Sequence, residues 1–303
     1  MSQGLDVFIL GTGYCGSTMV GNALNAHAEM QFVGELNRLP AFKQFESEAY
    51  RGAPLFDRCA VCGTHERYDC PVWTDHLVKE LSNSPAGRAA DAFRRCRGGE
   101  GVVVDGSKNV RWIRHVLESR GRADDVRIIH CVRSPFAFAA SYKKHTGGVA
   151  WMGGAMWRDT LFDVIRTAAH YGGIPILLLQ YERFAFEPEP SLRRVCDFLG
   201  RPFDPAMLRF WEVPVHPLGG NYGAYVRYPN FVASNAPDKW KQSTKTYADK
   251  PFGGWRDERW LRDMSKAELT EVMFNPGLAD AAGLAGYDLA YEMETFFLQR
   301  NGD

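Results

Sequence analysis

The apolar positions of this chain fall into short, dense runs that end abruptly. Val7-Phe8-Ile9-Leu10 is an apolar run of strand length, stopped by Gly11-Thr12-Gly13, and such a run reads as a buried strand. Met30–Val33 is a second strand-like run, followed by Val102–Asp105 (VVVD), Val126–Val132 (VRIIHCV) and Ile174–Gln180 (IPILLLQ). Between these runs the apolar period lengthens. From Gly16 onward it predicts a helix with Met19, Val20, Ala23 and Leu24 on its apolar side. Further helices are predicted over Thr74–Leu81, Gly87–Arg95, Val110–Ser119, Phe136 to about Lys144, Asp159–His170, Pro190–Leu199 closed by Gly200, and Ala290–Leu298. Strands separated by helices predict an α/β protein with a mostly parallel sheet. Residues 36–100 read as irregular, punctuated by Pro40, Gly52-Ala53-Pro54 and Ser82-Asn83-Ser84-Pro85. Gly147–Trp157 reads as a loop over or beside a site, and His216–Tyr228 as a Gly- and Tyr-rich loop.

Composition narrows the class. The 303 residues carry 36 basic and 36 acidic side chains, a zero net charge that argues against broad nucleic-acid binding. There is no apolar run long enough to span a membrane, and no basic segment followed by an apolar one at the N-terminus. The expectation is a cytoplasmic enzyme with reduced cysteines. No internal repeat or low-complexity tract is visible.

The candidate chemistry begins at the first strand. A glycine turn between a strand and a helix lets backbone N–H groups converge on an anion, with the helix dipole adding to the attraction. Gly11-x-Gly13-x-x-Gly16 matches the dinucleotide fingerprint, with Glu35 about 20 residues on where a ribose-binding acid would lie. Against that reading, Ser17-Thr18 place two hydroxyls after the last glycine, and the next 65 residues lack strand–helix alternation. A nucleotide-binding loop of the Walker type also fails, because no lysine precedes Ser17. Lys108 follows the strand ending at Asp105, and Arg133 follows the strand ending at Val132; strand ends are where open α/β sheets bind ligands. An arginine there is a good bidentate phosphate ligand, and Ser141 lies two turns into the next helix. Cys59-x-x-Cys62, Cys70 and His65 form a compressed cluster that leaves zinc binding, a redox-sensitive pair and free packed thiols all open.

Taken together these pieces resemble the sulfotransferases that use 3′-phosphoadenosine 5′-phosphosulfate (PAPS) as donor. The resemblance rests on the strand–glycine loop–Ser17-Thr18 helix and on Val132-Arg133-Ser134-Pro135 with Ser141 eight residues after the arginine. Asp105-Gly106-Ser107-Lys108, Leu179–Arg183 with Pro188 and Asp197–Gly200, and Gly219-Gly220-Asn221 after His216 are similar to segments of the bacterial branch. So is Cys62-Gly63 through Cys70-Pro71-Val72-Trp73. Gly34-Glu35 resembles the Gly-Glu pair of the tyrosylprotein branch. The likeness spans about residues 5 to 290.

The resemblance implies a P-loop-like three-layer fold, a central mostly parallel sheet flanked by helices. One domain would cover 1–303, with a Cys-containing insertion at about 36–100. Gly11, Thr12, Gly13, Tyr14, Cys15, Gly16, Ser17 and Thr18 would cradle the 5′-phosphosulfate. Arg133 and Ser141 would hold the 3′-phosphate, and Gly220 and Asn221 would complete the cofactor site. Glu35 would take the acceptor's proton, as a carboxylate in a partly apolar cleft can, with His27 as runner-up base. The product would be 3′,5′-ADP, and no metal ligand is needed for the transfer. One departure stands out: the family's usual basic residue before the Ser-Gly-Ser-Thr run is here Tyr14, and Cys15 replaces the serine. Charge on the bridging oxygen would then fall to Lys108 and the helix N-terminus, or to a cation entering from Lys143, Lys144 or Arg227. The acceptor would be a small-molecule or carbohydrate hydroxyl, with Trp151, Trp157, Tyr222, Tyr225 and Tyr228 as candidate pocket walls. Arg94-Arg95-x-Arg97 is a candidate basic patch. Two competing readings are an NAD(P)-dependent oxidoreductase using Gly11–Gly16 and a non-catalytic PAPS- or 3′,5′-ADP-binding protein; a kinase is more remote.

Overall fold

The computed structural model describes residues 4–45, 59–62, 70–97, 101–231 and 252–300. The five apolar runs become five parallel strands: β1 (Leu5–Leu10), β2 (Met30–Gly34), β3 (Val102–Asp105), β4 (Val126–Val132) and β5 (Ile176–Gln180). Their order is β2-β3-β1-β4-β5. Strands β1, β3 and β4 are almost wholly buried, as parallel strands covered on both faces must be. The registers Phe8↔Asp105 and Leu10↔His130 align the carboxyl ends along one edge. The chain crosses β1 between β3 and β4, so the switch of winding direction falls at the glycine loop, where open α/β sheets bind ligands.

This order also separates the fold from the dinucleotide reading. In that fold the second strand flanks the first, whereas here β3 lies between β1 and β2. Glu35 therefore sits two strands from the glycine loop, roughly 10 Å in the hydrogen-bonding direction.

Helices fill both faces. α1 (Ser17–Asn25), α2 (Asp75–Asn83), α3 (Ala89–Arg97), α4 (Val110–Arg120) and, after β5, α7 (Tyr181–Phe186) and α8 (Pro188–Leu199) contribute to the larger apolar core. α5 (Pro135–Thr146) and α6 (Ala150–His170) pack with four C-terminal helices in a second core around Phe136, Phe138, Trp260 and Phe296. Those four are α9 (Arg259–Asp263), α10 (Lys266–Met273), α11 (Leu278–Leu284) and α12 (Leu289–Arg300). Caps match the local sequence: Asn109 caps α4 at Trp112, and Gly121 and Gly147 close α4 and α5 in the left-handed region. The long helix α6 corrects the loop expected over Gly147–Trp157. Its Gly153-Gly154 pair was the misleading signal; Gly153 packs directly on Ala139 of α5, where a side chain would not fit. No helix among the described residues is long and apolar enough to cross a membrane.

The loop after Val215 is drawn against the end of β2. Leu218 N–H donates to Val33 O at 3.0 Å, and Glu35 N–H donates to Leu218 O at 2.7 Å. The approach depends on Gly34, whose φ is 80° and whose missing Cβ would lie 2.2 Å from Leu218 O. Gly34→Ala is therefore expected to lower stability by at least about 2 kcal/mol, combining left-handed strain with a backbone clash. The control Gly121→Ala meets open space and should lose only about 1 kcal/mol of strain. Urea denaturation of the two variants checks the difference.

Candidate active site

The glycine loop leaves β1 and turns directly into α1. Tyr14 at φ 62° and Lys108 at φ 52° are the two non-glycine residues of positive φ among those described, and both stand at this edge of the sheet. Backbone strain held in place by its surroundings collects at functional sites. Gly16 precedes α1 in the left-handed region, and the helix begins at the loop with no side-chain cap. That is an anion-binding arrangement. Thr12, Cys15, Ser17 and Thr18 are buried around it. Thr18 Oγ1 accepts from Asn221 N at 3.2 Å, which ties Gly220-Asn221 to the loop. A hydrogen bond from Cys131 holds the Cys15 thiol below the ordinary thiol range against the effect of burial, with the positive field of Lys108 adding to it. Tyr14 is partly exposed and stacks on His145 at 4.3 Å.

On the β3 side, Asp105 organises the turn. Its carboxylate accepts from Ser107 N at 2.8 Å, from the Ser107 hydroxyl and from Trp112 Nε1 at 2.7 Å. Burial pushes its pKa up to about 6. The turn delivers Lys108, whose Nζ donates to Glu35 Oε1 at 2.6 Å and to Gly106 O at 3.2 Å. Arg38 lies 3.7 Å from Glu35 Oε2. The surroundings of Glu35 thus differ from the partly apolar cleft expected: its carboxylate lies between two cations. Arg38 was not picked out from the sequence, because it sits on a short 3-10 turn (Leu36–Arg38) inside a segment that reads as irregular.

On the β4 side, Arg133 projects from the strand end. Its Nη1 donates to Ser141 Oγ at 3.1 Å and to Tyr14 O at 3.2 Å; its Nη2 pairs with Asp257 Oδ2 at 2.6 Å. Arg259 also grips Asp257, through Nε at 2.7 Å and Nη2 at 2.6 Å. Against burial, the Arg259 hydrogen bonds and the Arg133 charge hold Asp257 down at about 2. His145 is pushed below its ordinary range by burial and by the nearby charges of Lys144, Arg259 and Arg133. The residues around Arg133 therefore form a region of net positive charge. Asp257 and Arg259 come from more than 120 residues downstream, with no local signal to mark them. Behind Arg133, Ser134 caps α5 and donates to Glu292 Oε2 at 2.5 Å, while Glu182 accepts from Ser134 N and from the Tyr287 hydroxyl.

Several expected participants lie elsewhere. Both ring nitrogens of His27 are engaged, Nε2 at 2.9 Å from Pro202 O and Nδ1 with Glu29 N at 3.0 Å. His27 follows α1 at the opposite end of the sheet, so it is no alternative base. Lys143 pairs with Glu268 at 2.7 Å, and Arg227 stacks over Trp211 at 3.9 Å. Of the three cations offered as substitutes for the one missing at Tyr14, Lys144 is the one whose charge acts on His145, which stacks on Tyr14. Trp157, Tyr222, Tyr225 and Tyr228 are core residues, leaving Trp151 as the exposed member of the proposed pocket wall. Arg94 is drawn inward to Asp6 and Leu5 O, which removes it from any basic patch. Cys59, Cys62 and Cys70 converge, and the histidine they meet is His216; His65 lies outside the described residues.

Comparison with known proteins gives the family and the fold. A sequence profile of the sulfotransferase family matches residues 6–205. The sulfotransferase domain of the Synechococcus PCC 7002 olefin synthase superposes with a TM-score of 0.58 at 18% identity, covering 95% of this chain and 97% of that one. The sulfotransferase domain from the curacin biosynthetic pathway gives a TM-score of 0.48 at 18% identity, covering 86% and 96%. Among curated proteins none matches the chain. The chain belongs to the sulfotransferase family, enzymes of sulfuryl transfer.

The support behind Arg133 has a pH signature. Burial, with the Glu182 charge adding to it, lifts Glu292 to about 8. A carboxyl whose folded pKa exceeds its unfolded value gives stability below the unfolded value that is lost as pH rises through the folded one. Stability should therefore fall between about pH 5 and pH 8, by about 1–2 kcal/mol once solvent access is allowed for. Glu292→Gln should remove most of that slope in denaturation curves taken across this range.

Proposed function

We propose that the protein transfers a sulfuryl group from PAPS to the hydroxyl of a small acceptor, releasing 3′,5′-ADP. The observation that carries the reading is the pair Arg133 and Ser141, 3.1 Å apart at the end of β4 and tied to the glycine loop through Tyr14 O, which the reading takes as a second anion site. A 5′-phosphosulfate on the Gly11–Thr18 loop leaves the nucleotide's 3′-phosphate to be matched, and Arg133 with Ser141 supplies the match. NAD offers no such phosphate. In this reading Gly220 and Asn221, bonded to Thr18, close the donor site. In this reading a single domain spans residues 1–303 and works in the cytoplasm.

Transfer would be in line. The acceptor oxygen attacks sulfur, the bond from sulfur to the bridging oxygen breaks, and the acceptor's proton passes to Glu35. Lys108, with the α1 N-terminus, would balance charge on the departing oxygen, the task for which Tyr14 has no cation. Because Lys108 and Glu35 hold each other at 2.6 Å, the pair must open before Oε1 can receive a proton. Catalysis is then positioning and electrostatics, as in phosphoryl transfer. The burial of four candidate aromatic residues removes the basis for a sugar-stacking pocket. Exposed Val149, Trp151, Met152 and Met156 at the start of α6 favour an acceptor alcohol with an apolar body.

The test is transfer from sulfur-labelled PAPS to a panel of phenols and alcohols. Glu35→Gln should retain donor binding and lower kcat by about 100-fold or more, the usual contribution of a general base. Unchanged turnover would remove Glu35 from that role. Arg133→Ala should raise the KM for PAPS at least about tenfold through loss of a charged phosphate contact. No transfer to any hydroxyl by a variant-free protein that binds 3′,5′-ADP would favour the non-catalytic reading.

A further inference from the structure

Apart from the site at the strand ends, the described residues hold one cluster of metal-ligating side chains. Cys59, Cys62, Cys70 and His216 place their ligand atoms within 4.8 Å of one another. His216 Nδ1 lies 4.0 Å from Cys59 Sγ, 3.1 Å from Cys62 Sγ and 3.4 Å from Cys70 Sγ. Zinc bonded tetrahedrally at about 2.3 Å to sulfur and about 2.0 Å to nitrogen requires S···N edges of roughly 3.5 Å. The three separations straddle that value. The space enclosed suits a single ion and is too small for an iron–sulfur cluster, and three soft sulfurs with an imidazole exclude calcium and magnesium as occupants.

The backbone is arranged for thiolates. In the Cys59-Ala60-Val61-Cys62 turn, the N–H groups of Val61 and Cys62 both point at Cys59 Sγ, at 3.3 and 3.4 Å. Trp73 N–H donates to Cys70 Sγ at 3.5 Å, and Asn230 Nδ2 to Cys62 Sγ at 3.5 Å. Donors on each sulfur stabilise the ligating form and fix its direction. Trp73 Nε1 donates to His216 O at 2.5 Å and holds the histidine's backbone against the cysteine segment. A disulfide between two of the cysteines would leave the third sulfur and the imidazole converging on nothing.

We propose that these four residues bind one zinc ion in a closed structural site. Four protein ligands leave no open position for chemistry. The ion fastens the segment holding Cys59 to Trp73 onto the loop that continues through Leu218, bonded to Val33 and Glu35, to Asn221, bonded to Thr18. It closes a chain loop of about 150 residues, for which the entropic gain of a cross-link is large. The proposal stands on the cluster alone and is independent of the donor assigned above.

The experiment is metal analysis of the untagged full-length protein, purified under reducing conditions from zinc-supplemented cells, followed by cobalt(II) titration of the stripped protein. One zinc per chain is expected, with thiolate-to-cobalt charge-transfer absorption and the d–d bands of tetrahedral cobalt. His216→Cys should keep the metal with four thiolates, His216→Ala should lose it, and His65→Ala should retain it. If His216→Ala fails to fold, the cobalt spectrum of the parent protein and the His216→Cys and His65→Ala results still decide. Protein lacking zinc as purified and giving no tetrahedral cobalt spectrum overturns the proposal. So does a native disulfide among the three cysteines, or loss of metal in His65→Ala with retention in His216→Ala.

Discussion

The arrangement of the site depends on one close approach of backbone to backbone. Leu218 lies against Val33, Gly34 and Glu35, with N–H···O bonds in both directions and no room for a Cβ at Gly34. This contact sets where Glu35 leaves the sheet, and so where its carboxylate meets Lys108. It also sets where the chain goes next, through Gly219 and Gly220 to Asn221, whose N–H reaches Thr18 beside the glycine loop. Two residues before Leu218, His216 meets the three cysteines. A single short segment thus registers the acid, the glycine loop and the cysteine segment relative to one another.

Electrostatics divides the strand-end surface into two neighbourhoods on either side of β1. On the β3 side the Glu35 carboxylate lies between two cations, Lys108 and Arg38. On the β4 side the balance is positive: Arg133 and Arg259 share one carboxylate, and Lys144 adds to the field felt at His145. Between them the uncapped start of α1 offers N–H groups and a dipole. A donor with two separated anionic groups has a natural orientation on such a surface. Tyr14 stands at the junction. Its carbonyl accepts from Arg133 and its ring stacks on His145.

Much of this was legible in the chain. Parallel strands buried on both faces appear as unbroken apolar runs, and the residues just after them, Lys108 and Arg133, stand out because the carboxyl ends of the strands are where open α/β sheets bind ligands. The glycine loop is equally plain. What stayed hidden depended on long-range closure. Nothing near Arg133 in sequence announces Asp257 and Arg259, and nothing near Cys59 singles out His216 over the closer His65. Gly153-Gly154 suggested a loop because glycine is a poor helix former; the need for α6 to approach α5 outweighs that preference. The aromatic residues of 222–228 suggested a pocket wall, but their rings form part of the main core, the commoner use of large apolar side chains.

Under the proposed function, the glycine loop and the Arg133–Ser141 pair together recognise a nucleotide carrying phosphates at both its 5′ and 3′ positions. Calorimetric titration with 3′,5′-ADP, with 5′-AMP and NAD measured in parallel, tests it most directly. The expected result is 3′,5′-ADP binding at least about tenfold tighter than 5′-AMP, the difference of one charged phosphate contact. Equal affinity for 3′,5′-ADP and 5′-AMP, or tighter binding of NAD than of either, would contradict it.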